Sequence, residues 1–68
     1  MPSTVIKTYR YFPQEEILRI EYVSGIIYDY LKVPQAVFDE FRSAFSKGVY
    51  LNKQIKGKFD FIKVEDYI

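Results

Sequence analysis

The feature that most narrows what this chain can become is Gly25, set between two short apolar alternations: Leu18, Ile20 and Tyr22 before it, Tyr28-Asp29-Tyr30 after it. A period of two marks a half-buried strand, so residues 17–23 and 26–31 read as the arms of a hairpin. The turn between them decides which side chains are buried. A two-residue Ser24-Gly25 turn would set Asp29 opposite Ile20 and bury a carboxylate among apolar groups, which is costly without a partner. A three-residue loop over 23–25, with Gly25 in the left-handed conformation, instead pairs Tyr22 with Ile26, Ile20 with Tyr28 and Leu18 with Tyr30. It also faces Arg19 with Asp29, an opposite-charge pair worth about 0.2–1 kcal/mol. The three-residue register is the one expected. It turns Tyr28 and Tyr30 inward and leaves Asp29 in water, and a slip of one residue would reverse every face.

The remaining elements follow from sparse punctuation. Residues 4–12 are mostly β-branched or aromatic, broken by Lys7 and Arg10, and read as a first strand; Pro13-Gln14-Glu15-Glu16 turns the chain into the second. Pro34 suits the first turn of a helix, where its missing N–H would lack a partner anyway. Val37, Phe38, Phe41, Ala44 and Phe45 recur at helical spacing and predict an inward face packed on Tyr28 and Tyr30. Ser46 can end this helix and cap a second one, over residues 47–56, that points Leu51 and Ile55 inward and stops at Gly57. A final strand over residues 58–64 rejoins the sheet. The expected fold is α+β: a three-stranded antiparallel meander, two short helices packed on one face and a last short strand. One domain over residues 3–64 and a tail over 65–68 account for the chain.

A domain of 68 residues buries only about 60 % of its unfolded surface, so its margin of stability is thin. No cysteine or histidine offers a disulfide or a zinc site. Seven Tyr and six Phe must supply the core instead. Of these rings Phe38, Phe41 and Phe45 read as core, as do Tyr28 and Tyr30, whereas Tyr9 and Tyr11 alternate with Arg10 and leave both a core and an exposed reading open.

Composition also restricts the chemistry. Without histidine or cysteine the commonest general base and thiol nucleophile are missing, and the adjacent pairs Glu15-Glu16 and Glu65-Asp66 suit solvated turns and tails better than acid–base work. Lys47-Gly48 and Lys56-Gly57 lack the spacing of a phosphate loop. The expectation is a non-enzymatic module that needs no cofactor and no metal. No run of about 18 apolar residues exists and residues 1–4 lack the pattern of a signal peptide, which points to a cytoplasmic protein without membrane contact. Charge is unevenly spread: residues 47–63 carry five lysines against Asp60 alone, within a chain of net charge +1. Lys47, Lys53, Lys56, Lys58 and Lys63, with Asn52 and Gln54 among them, read either as solvated surface or as a phosphate-tracking patch.

The ordered series Leu18-Arg19-Ile20-Glu21-Tyr22, Ser24-Gly25, Tyr28-Asp29-Tyr30, Val33-Pro34, Phe38, Ala44, Ser46-Lys47-Gly48 and Ile55-Lys56-Gly57 resembles the KTSC domain, named for the C-terminus of lysyl-tRNA synthetase. The likeness covers about residues 3–64 and departs at Arg10 and Phe12, where a glycine and an acidic residue are more usual. The family occurs as an appendage of some lysyl-tRNA synthetases and as free-standing small bacterial proteins, and this chain looks like the second kind. The resemblance implies RNA, tRNA or a ribonucleoprotein, as the partner, with Tyr28, Tyr30, Gly25 and Pro34 as motif positions of structural purpose; the charge of the basic segment makes Lys47, Asn52, Lys53, Lys56, Lys58 and Lys63 the expected contacts. The rival expectation is a module that binds a protein partner or itself through an exposed sheet edge.

Overall fold

In the computed structural model, which describes residues 6–64, the chain around Gly25 turns in three residues. The Tyr22 N–H donates to the Ile26 carbonyl at 2.8 Å and the Gly25 N–H to the Tyr22 carbonyl at 2.8 Å. Gly25 takes φ +96°, a backbone region that side chains disfavour. Leu18 therefore faces Tyr30, Arg19 faces Asp29 and Ile20 faces Tyr28, the register expected from the alternation.

Strands β1 (Ile6–Phe12), β2 (Ile17–Tyr22), β3 (Ile27–Tyr30) and β4 (Phe61–Val64) form one antiparallel sheet in the order β1-β2-β3-β4. Between β3 and β4 lie helix α1 (Gln35–Ser43), helix α2 (Lys47–Tyr50) and a π-helical segment (Leu51–Ile55) that continues α2. The order matches the predicted α+β arrangement. The beginning of the expected first strand and the tail over 65–68, with Glu65-Asp66, lie outside the described residues. β4 is shorter than the expected 58–64, because the amides of Lys58 and Phe59 are held by the Ile55 carbonyl as the helix unwinds through Gly57 at φ +80°.

Pro34 caps α1 in an extended conformation, and its carbonyl accepts from the amides of Val37 and Phe38 at 3.0 and 3.1 Å. The helix stops at Ser43 and Ala44 is extended, with φ −65° and ψ 143°. This corrects the expected inward face. Phe45 no longer follows the helix and is wholly exposed, at 108 % of its reference area. The physical cause is the next helix: Ser46 must be extended to cap α2, and its Oγ accepts from the Val49 amide at 3.3 Å. The break between the two helices therefore has to come before it.

Leu18, Ile20, Tyr30, Val33, Phe41, Leu51 and Ile55 form the buried core. Leu51 and Ile55 point inward as their spacing requires. The rings met by α1 are those of β1 rather than Tyr28 and Tyr30: Phe41 lies edge-on to Tyr9 at 5.1 Å and Phe38 stacks on Tyr11 at 4.5 Å. Tyr9 and Tyr11 are thereby half-buried rings packed against the core. Val33 closes this corner, donating its amide to Glu16 at 2.7 Å and accepting the Tyr11 hydroxyl at 2.6 Å.

Candidate nucleic-acid interface

The early stop of α1 opens a groove of about 1050 Å³ between the start of β1 and the α1–α2 junction. Its floor and walls include Ile6, Tyr9, Phe45, Val49 and Tyr50, and its cations are Lys7, Lys47 and Lys53. Among the described residues lining it none is acidic. Lys7 projects from a bulge in β1, where the register slips between Ile6 and Thr8. Its Nζ lies 3.8 Å from Glu21 while most of its side chain stays exposed. The Tyr50 hydroxyl donates to Glu40 at 2.8 Å and so pins α2 to α1. Burial, followed by that bond, raises the Tyr50 pKa.

Of the predicted contact residues, only Lys47 and Lys53 reach this groove, joined by Gln54. Asn52, Lys56, Lys58 and Lys63 are exposed elsewhere. Lys56 sits with Nζ 6.0 Å from the Tyr22 ring centre, and Lys63 lies on β4 opposite Tyr28. Lys58 belongs to the turn before β4. The basic segment is thus split between two regions of the surface. Sequence reasoning placed Phe45 in the core and left Lys7 out of the basic segment. The readable signal was Ser46: a residue that caps a second helix excludes its predecessor from the first.

Near β4 the motif tyrosines form a packed cluster. Tyr22 and Tyr28 meet at 5.7 Å, Tyr28 and Phe61 at 4.8 Å, and the hydroxyls of Tyr22 and Tyr30 share a hydrogen bond of 2.8 Å. Burial pushes both hydroxyls above the ordinary phenolic pKa. The shared bond pushes Tyr22 further up and acts against the shift at Tyr30. Of these rings Tyr30 is buried, Tyr22 and Tyr28 are half-buried, and Phe61 is 55 % exposed. On the opposite sheet face Arg19 grips Asp29 with Nε–Oδ1 2.7 Å and Nη2–Oδ2 3.0 Å, while the guanidinium carbons of Arg10 and Arg19 each lie 5.3 Å from the centre of the Phe12 ring. That ring holds two like charges side by side.

Among the described residues no cluster of acidic side chains is arranged to hold a metal ion, and no helix is long and apolar enough to cross a membrane.

Comparison with known proteins adds the ancestry. The model of the KTSC domain family matches residues 2–59. The chain is 50 % identical to a lysine–tRNA ligase of Nostoc sp. over 59 residues, 87 % of this chain and 10 % of the ligase. It therefore spans about a tenth of the ligases it matches. A protein of Tsukamurella paurometabola, 37 % identical, is matched over 84 % of this chain and 85 % of its own length. The crystal structure of a KTSC domain protein from Yersinia pestis superposes with a TM-score of 0.83 at 35 % identity, covering 96 % of this chain and 94 % of that one.

Proposed function

This chain belongs to the KTSC domain family, and from that premise we propose that it is a non-catalytic RNA-binding module whose groove takes a short single-stranded stretch, such as a tRNA end or loop. One observation carries the reading: the fully exposed Phe45 stands in the same groove as Lys7, Lys47 and Lys53. Single-stranded nucleic acid is bound where cations track the backbone and an aromatic ring stacks a base. Both ingredients share one surface here. Phe45 offers a ring face without the unfolding that recruitment of a core tyrosine would need. The likeness to a segment of lysine–tRNA ligases supports the same ligand class.

Titrating labelled tRNA and a single-stranded oligoribonucleotide at low and high salt tests the reading. Affinity is expected to fall with salt, and Phe45→Ala is expected to lose about 1–3 kcal/mol, the value of one stacked base. Replacing Lys47 and Lys53 by alanine should flatten the salt slope by about 0.7 for each phosphate no longer neutralised. Binding that ignores both salt and Phe45 would remove the proposal.

A further inference from the structure

Among the described residues, the outer border of β4 has backbone groups without a partner, and their positions can be read from the sheet. The Leu31 amide donates to the Asp60 carbonyl at 2.8 Å, and the β3–β4 register continues from there through Tyr30/Phe61, Asp29/Ile62 and Tyr28/Lys63. Hydrogen-bonded and non-bonded pairs alternate in an antiparallel ladder. Asp60, Ile62 and Val64 therefore aim their N–H and C=O groups at β3, while Phe61 and Lys63 aim theirs away from the sheet. Among the described residues no strand pairs with that border. The side chains there are open too, with Phe61 55 % and Ile62 56 % exposed.

We infer that two copies of this chain join along β4 in antiparallel fashion, about a twofold axis through Ile62. This register is singled out by the strand itself. With Ile62 opposite Ile62 of the second copy, Phe61 lies opposite Lys63 of the second copy and Lys63 opposite its Phe61. All four outward backbone groups of each strand then find partners, and each lysine meets an aromatic ring instead of the other lysine. Centring the axis on Lys63 would oppose two like charges, and centring it on Phe61 would leave the Lys63 groups beyond the partner strand. The other border of the sheet, β1, is protected by its bulge and by Lys7 within it. β4 pairs with β3 without a bulge. The product is a continuous eight-stranded sheet with both helical layers on one face and both Phe45 grooves at its far ends.

Sedimentation velocity over a concentration series is expected to show a reversible monomer–dimer equilibrium, with amide exchange at Phe61 and Lys63 slowing as concentration rises. Two variants that lose the same ring separate register from packing. Phe61→Glu places a carboxylate against each lysine and should dimerise at least about tenfold more tightly than Phe61→Lys, which opposes four like charges. Circular dichroism verifies that both are folded. Lys63→Pro removes an outward N–H that the monomer does not use and should abolish dimers. A wild-type chain monomeric to its solubility limit overturns the inference, as do Phe61→Glu and Phe61→Lys variants of equal affinity. Because β4 contributes nothing to the Phe45 groove, a failure here leaves RNA binding unaffected and a failure there leaves dimerisation unaffected.

Discussion

At the scale of single residues, two positions show how differently side chains and backbone set stability. Gly25 sits at φ +96° with open space where a Cβ would point, so Gly25→Ala meets no obstacle except the backbone itself. The expected loss is about 1–2 kcal/mol, measurable by urea denaturation. The Tyr22–Tyr30 hydroxyl pair behaves otherwise. Tyr22→Phe strands the buried Tyr30 hydroxyl and should cost about 1–3 kcal/mol, whereas removing both hydroxyls should cost less than the two single losses summed. A double-mutant cycle checks this. Gly25 and the Arg19–Asp29 pair were legible in the sequence because only one register satisfies charge and apolar alternation together. Phe45 was legible only through Ser46: helical spacing says which residues share a face but is silent about where the helix ends.

At the scale of elements, the competition between caps explains that failure. Residues 43–46 serve as the exit from α1 and the entrance to α2, and the Ser46 hydroxyl decides in favour of the entrance. Ser46→Ala is expected to destabilise by about 1 kcal/mol. Phe41→Ala should cost about 3–5 kcal/mol, since that ring is fully buried against Tyr9, while Phe45→Ala should stay within about 0.5 kcal/mol. Thermal melts of the three variants would show the largest loss for Phe41→Ala, then Ser46→Ala, then Phe45→Ala, only if the helix ends before Phe45. The pairing of α1 with β1 was also hidden from the sequence, because both Tyr9-Tyr11 and Tyr28-Tyr30 offer two rings on alternate positions. Which pair lies beneath a helix depends on the path of the chain from β3 into α1, fixed by Val33 on Glu16 and Tyr11.

For the whole molecule the titratable groups set the usable pH range. With neither histidine nor cysteine in the chain, no side chain has an ordinary pKa between about 5 and 9. Stability should be nearly flat across neutrality. Burial raises the hydroxyl pKa values of Tyr11, Tyr22, Tyr30 and Tyr50 above the ordinary value of 10.0. A raised folded-state pKa contributes stability that is complete below the unfolded value and is lost as pH climbs past it. Denaturation midpoints measured from pH 6 upward are therefore expected to hold and then fall above about pH 10. Tyrosinate absorbance should appear partly with unfolding rather than ahead of it.

The sheet order places β1 and β4 on opposite margins, separated by three inter-strand spacings of about 4.8 Å. The proposed ligand capture on one margin and the proposed recruitment of a second copy on the other do not compete for space. A polynucleotide long enough to visit two grooves would then be held with avidity, because the second attachment becomes intramolecular. Tightening of apparent affinity with oligonucleotide length would be the visible sign of that division of labour.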